Sequence, residues 1–186
     1  MFALLLEQIA LALESRQIRY MVIGGQAVLL YGEPRLTRGI DVTLGAGPER
    51  LPELLELAGE RGWRVLVEAP ADFVQRTMVL PCLESQSGIR IDFIFSHSAY
   101  EQQALERARP VLFGQTPVRF AAVEDVIIHK MVAGRPRDLE DVRGILLKRP
   151  PMDLAYVHGW LREFDRSLGG SFLARFEDLW KSVERG

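Results

Sequence analysis

The chain has 186 residues, enough for one compact domain or for a core with a helical appendage, and leaves little room for two unrelated domains. A hydrophobic fraction of 48%, a charged fraction of 26% and a formal net charge of −2 argue against disorder and against any global drive toward nucleic acid. The one cysteine, Cys82, cannot form an internal disulfide and, flanked by Leu80-Pro81 and Leu83, reads as a small buried hydrophobe in a strand.

Leu5, Ile9, Ala12 and Leu13 recur at helical spacing, so residues 3–16 are expected to form an amphipathic helix. The stretch from Phe2 to Leu13 is interrupted by Glu7, has no basic segment before it and is too short for a bilayer, which makes the cytoplasm the expected compartment. Arg19 to Ile23 is β-branched and aromatic, and it runs through Gly24-Gly25 into the helix-favouring Gln26 to Leu30. After a turn around Gly32 to Pro34, residues 40–44 alternate, with Ile40, Val42 and Leu44 on one face and Asp41 and Thr43 on the other.

A helix over 48–62 and a strand over 63–67 follow, and residues 71–75 are ambiguous. Residues 78–83 and 89–95 read as strands joined by the turn-like Ser85 to Gly88. In the second of them Ile89, Ile91, Phe93 and Phe95 share one face, and Arg90 and Asp92 share the other. A helix over 100–107 precedes a hairpin of 110–113 and 118–121. From Val123 onward the pattern is helical over 123–133, 137–147, 152–166 and 170–184, with breaks at Gly134-Arg135-Pro136, Arg149-Pro150-Pro151 and Gly169-Gly170. The expected class is α+β: a core over 1–121 and a C-terminal helical bundle over 122–186 packed on it.

Three features fall in an informative order: Gly24-Gly25 closing a strand, Asp41 on the polar face of the next strand, and Asp92 on the polar face of a later one. Nucleotidyl transfer to a hydroxyl needs positive charge at a triphosphate and an aligned nucleophile more than covalent help from the protein. Carboxylates that hold magnesium supply that charge, and strands are rigid mounts from which two acids converge on one cation. A glycine pair lets the backbone approach a phosphate closely, and the following helix start offers N–H donors to it. The plainer alternative is that Asp41 and Asp92 are solvated on an open sheet face, although Asp is disfavoured in strands and stands here in two of them.

Together with the later segment Val123 to Ile145, these residues resemble the nucleotidyltransferase superfamily built on the DNA polymerase β-like core, and within it the branch of AbiEii-like and MenT-like toxins. The resemblance covers most of residues 18–147. It rests on Gly24-Gly25, on Arg35-Leu36-Thr37-Arg38-Gly39-Ile40-Asp41, on Arg90-Ile91-Asp92 and on Lys130 followed by Arg135-Pro136-Arg137-Asp138. It implies a mixed β-sheet with flanking helices, Mg2+ held by Asp41 and Asp92, and NTP as substrate. Further, it implies Lys130 on the nucleotide phosphates, Arg135 and Asp138 shaping the nucleotide pocket, a hydroxyl of RNA or protein as acceptor, and an antitoxin as partner.

The superfamily's acidic triplet begins one residue before Ile40, where this chain has Gly39. Losing a charge that stabilises the transition state costs orders of magnitude in rate, so nucleotide binding is expected to survive better than turnover. The alternative function is a non-catalytic nucleotide-binding or regulatory module. Asp138 equally suits a cap in the first turn of its helix. Arg35 and Arg38 are further candidates for a phosphate or RNA contact, and Asp141 and Arg143 read as surface residues. Trp160, Phe164, Phe172, Phe176 and Trp180 recur at helical spacing, as core positions do.

Overall fold

The computed structural model describes residues 1–34 and 36–184. The chain forms two units: residues 1–26 with 36–121, and residues 27–35 with 122–186. Segment 27–35, the continuation of the first glycine turn, thus belongs with the C-terminal helices, a partition no local pattern in the sequence announces.

In the first unit, α1 (Phe2–Ser15) leads into β1 (Tyr20–Ile23), which runs directly into α2 (Gly24–Tyr31). Then come β2 (Gly39–Leu44), a 3-10 turn at Pro48–Arg50, α3 (Leu51–Arg61), β3 (Trp63–Val65), α4 (Pro70–Thr77), β4 (Val79–Glu84), β5 (Arg90–Phe95), α5 (Ala99–Arg107), β6 (Arg109–Phe113) and β7 (Thr116–Phe120). The strands form one seven-stranded sheet in the order β3-β4-β5-β2-β1-β7-β6. The β2·β5 and β1·β7 pairs are parallel and the others antiparallel, so the sheet is mixed and the α+β class holds. A parallel β2·β5 pair needs a long crossover, and α3, β3, α4 and β4 supply it.

The period-two pattern sorts the sheet's faces. Val22, Val42, Leu44, Ile91, Phe93 and Phe95 are all buried on one face, where Trp63 tilts against Phe93 at 5.7 Å between ring centroids. Arg90, Asp92 and Ile94 alternate with them on the other face. The ambiguous stretch at 71–75 is helical because Pro70, at its first position, has φ preset for a helix and no N–H to satisfy. The hairpin is tighter than the sequence suggests: Phe113 pairs with Thr116, leaving a two-residue turn whose Gly114 takes φ +58°.

The second unit contains α6 (Val123–Ala133), α7 (Pro136–Leu147), α8 (Leu154–Leu168) and α9 (Phe172–Glu184). Helix α6 is buried along nearly its whole length, from Val123 through Ile128 and at Lys130 and Met131, and α7, α8 and α9 all pack on it. The Asp153 side chain caps α8 by accepting from the Tyr156 N–H at 3.0 Å. Glu124 on α6 fixes that corner by accepting from the Asp153 N–H at 2.8 Å. Of the aromatics read as core, Phe176 is fully buried, whereas Trp160, Phe164, Phe172 and Trp180 are half-buried. Among the described residues, no helix is long and apolar enough to cross a membrane.

Candidate functional site

The first unit brings Asp41 and Asp92 together. They are register partners in the parallel β2·β5 pair, so their side chains leave the same sheet face from Cα positions about 4.8 Å apart. Both are half-buried. Ile23, the last residue of β1, is the partner of Asp41 on its other side, which carries the chain into α2 immediately beside the carboxylates. Gly24 opens that helix with φ +62°, and the Asp41 carboxylate stands where a Cβ on Gly24 would be. Glycine is required there twice over, for its backbone conformation and for the space. Gly25 follows in the first turn of α2 and is half-buried. Next to it, Gln26 Nε2 donates to Thr37 Oγ1 at 2.7 Å and ties the start of α2 to the approach to β2.

Two features of this cluster escape a residue-by-residue reading. Arg90 Nε donates to both carboxylate oxygens of Asp92, each at 2.9 Å, so Asp92 already carries a counter-ion. Gly39 is the register partner of Arg90, and a Cβ on it would lie 2.8 Å from the Arg90 carbonyl oxygen. The strands therefore approach closely where a side chain is missing. The alternation in the sequence placed Arg90 and Asp92 on one face; the pairing between them is visible only in the structure.

The donor set suits one divalent cation better than two. Among the described residues there is no group of three or more His, Cys, Asp and Glu side chains placed to hold a metal ion. Asp41 and Asp92 are a pair of oxygen donors of the right kind for magnesium, which commonly completes its shell with water and substrate phosphate. Gly39, two residues before Asp41 in β2, adds no donor to the pair.

In the second unit, Lys130, Arg135 and Asp138 do converge, around the corner between α6 and α7. The buried Lys130 ammonium lies 2.7 Å from Asp138 Oδ1 and 3.0 Å from Asp141 Oδ2. Arg135 Nε reaches Asp138 Oδ2 at 2.6 Å, and the Arg135 N–H donates to the same oxygen at 3.3 Å. Asp138 is thus the acid at the third position of α7, closing the helix start onto the residue before it. Burial pushes the Asp138 carboxyl up, but the hydrogen bonds from Arg135 and Lys130 outweigh that and hold it below the ordinary carboxylate range. Asp141, expected at the surface, is instead buried: its oxygen is the second anchor of Lys130. The signal was available, since Asp138 and Asp141 are spaced i, i+3 and must share a helix face.

Of the loop arginines, Arg38 is exposed and Arg35 lies outside the described residues. The helical unit also contains a cleft of about 460 Å³ lined by Leu146, Arg149, Pro150, Met152, Trp180 and Val183, none of which belongs to the charged clusters above.

Comparison with known proteins agrees with this fold. The profile of a family described as "Nucleotidyltransferase of unknown function (DUF6036)" matches residues 2–165. No curated protein is significantly similar in sequence. Among solved structures, the chain is similar to the solution structure of the antibiotic-resistance factor ANT(2'')-Ia, with 17% identity, 98% of this chain and 95% of that chain covered, and a TM-score of 0.58. An antigenic nucleotidyltransferase-like protein from Paracoccidioides brasiliensis is similar at 14% identity, 90% and 91% coverage and a TM-score of 0.57. The complex of ANT(2'')-Ia with adenylyl-2''-tobramycin is similar at 19% identity, 98% and 97% coverage and a TM-score of 0.53. At such identities the likeness is one of fold.

Proposed function

Since the chain belongs to this family of nucleotidyltransferases of unknown function, we propose that it binds a nucleoside triphosphate at the turn from β1 into α2, beside Asp41 and Asp92. The observation that carries the reading is the Asp41–Asp92 register pair on one sheet face with the Gly24 backbone against Asp41. The N–H groups at the start of α2 receive phosphate oxygens, which suits the exposed partial positive charge of a helix start. Asp41 and Asp92 would hold a Mg2+ ion, which supplies positive charge to the triphosphate as the leaving group departs. The reaction is transfer of a nucleoside monophosphate to a hydroxyl of RNA or protein, slowed because Gly39 offers no carboxylate.

In the helical unit, the same reading assigns Lys130, Arg135 and Asp138 to the nucleotide, with unequal shares. Arg135 is the exposed one, at 74% of its side chain, and is suited to meeting a phosphate. Lys130 and Asp138 hold the corner that presents it. Membership of the AbiEii-like and MenT-like toxin branch, a cytoplasmic setting and a separate antitoxin that restrains the activity complete the proposal.

A second reading, a nucleotide-binding module without turnover, is favoured by one observation: a Cβ on Gly39 would lie 2.8 Å from the Arg90 carbonyl oxygen, so the strand pair leaves little room for a side chain there. One experiment separates the two. The chain and its Asp41→Asn variant are incubated with each labelled NTP, Mg2+, and cellular RNA or protein. Transfer that disappears with Asp41→Asn supports the enzyme, and NTP binding without transfer assigns the module. If no NTP binds, both readings are wrong.

A further inference from the structure

We propose that Arg90 and Arg64 form a cationic row that grips the phosphates of a nucleoside triphosphate directly, with no divalent cation required for binding. This rests on the nucleotide-binding reading above and adds to it the residues that take the charge. The row follows from strand register. Gly39 pairs with Arg90 between β2 and β5, Arg90 with Leu83 between β5 and β4, and Leu83 with Arg64 between β4 and β3. Register partners point to the same side of a sheet. Gly39, Arg90, Leu83 and Arg64 therefore lie in a line on the face that carries Asp41 and Asp92, whose own line is the next one along that face.

Each member of the row contributes something specific. Arg90 is pre-organised: Asp92 holds its Nε through both carboxylate oxygens, which fixes the plane of the guanidinium, and 53% of the side chain stays exposed. Among the described residues its two terminal nitrogens have no partner, so they are available as a fork for phosphate oxygens. Arg64 is exposed and, among the described residues, has neither a hydrogen bond nor an ion pair. The two arginines stand two strand spacings apart, about 10 Å between Cα positions, a gap that two side chains of this length close on one polyphosphate. Leu83, half-buried between them, adds no competing charge.

Gly39 completes the argument. An acid at that position would stand in register beside Arg90 and compete with any phosphate for its guanidinium. With glycine there, Arg90 answers to Asp92 alone, and the charge that a second metal ion would have brought is supplied by side chains.

Titration calorimetry of the full chain with ATP, GTP, CTP, UTP and inorganic triphosphate, in EDTA and in excess Mg2+, tests this. The expected result is that the wild-type chain binds at least one NTP, and inorganic triphosphate, in EDTA. Arg90→Gln and Arg64→Gln each weaken that binding about tenfold, the size of one lost charge-assisted hydrogen bond, and the double variant loses it. Both residues are exposed, so the variants fold. Arg166→Gln, which breaks an exposed pair with Glu163 on α8, leaves binding unchanged. The proposal is overturned if the double variant binds as the wild type does in EDTA, or if inorganic triphosphate fails to bind where an NTP does. NTP binding that requires Mg2+ and is lost in Asp41→Asn removes the arginine row and leaves the nucleotidyltransferase reading standing. Absence of NTP binding in both buffers removes both.

Discussion

The Asp41 carboxylate fills the space above the Gly24 Cα that a side chain at Gly24 would take, while Gly24 itself holds a left-handed φ of +62°. The turn and the acid are therefore one fitted unit, and Gly24→Ala is expected to damage both. Left-handed backbone and displacement of Asp41 together cost roughly 1–3 kcal/mol of stability, measurable by urea unfolding. Nucleotide affinity should fall more steeply than this stability loss alone would cause. A variant that kept wild-type affinity would show that Asp41 is free to move.

Restoring the missing acid is expected to fail. In Gly39→Asp the new Cβ meets the Arg90 carbonyl oxygen at 2.8 Å, a backbone atom that moves only if the β2·β5 pairing shifts. Overpacking of this kind costs about 1–3 kcal/mol. Urea unfolding should show that loss, and the transfer assay with labelled NTPs should show no gain over the wild-type chain. A large gain in transfer would mean that the strand pair yields easily.

Lys130→Met is expected to be the more severe change in the helical unit. It removes the ammonium between the buried Asp138 and Asp141, leaving Asp138 with Arg135 alone of its two cations, and breaking a buried ion pair by removing one partner costs about 3–5 kcal/mol. Thermal unfolding followed by circular dichroism checks the size. Adding Asp141→Asn in the same chain should recover part of the loss, because it removes a buried negative charge that Lys130 no longer offsets.

The depressed Asp138 carboxyl sets an acid limit on stability. Its folded pKa lies below the ordinary value of 3.8, so the folded state holds fewer protons at this group than the unfolded state does. The resulting stabilisation is fully present above the unfolded value and is lost as pH falls through the folded one. Urea midpoints measured from neutral pH downward should hold until the ordinary carboxylate range and then drop. Asp138→Asn should remove this group's share of the drop while lowering stability at neutral pH.

Cys82 offers a probe of opening. Burial first, and the nearby Asp92 charge second, push its thiol up to about 12, so the thiolate is scarce at neutral pH. Iodoacetamide should leave the folded chain unlabelled and modify it readily in urea. Rapid labelling without denaturant would show that β4 opens on its own.

Alternation alone placed Asp41, Arg90 and Asp92 on polar strand faces, with the Ile and Phe residues opposite, because the strand period of two is local. Pairing is not local. That β5 lies beside β2, and that β4 links Arg90 to Arg64, depends on non-local packing, so neither the Arg90–Asp92 bond nor the arginine row could be read from the sequence. In the helical unit, Lys130 and Asp138 were recognisable as a motif, but the depth of burial that makes Lys130 an ion-pair centre was not, since a lone Lys on a helix is usually solvated. Residues 71–75 lacked a clear period in so short a window, and the proline ahead of them decided for helix.

The parallel junction of β2 and β5 also governs when the carboxylate pair comes into being. Asp41 and Asp92 meet only after α3, β3, α4 and β4 have been laid down between them, and non-local strand pairing is slow because the loop must close before the contact rewards it. A nascent or truncated chain that ends before β5 has Asp41 without Asp92 and Arg64 without Arg90. The two carboxylates therefore become neighbours in one step, when β5 joins β2.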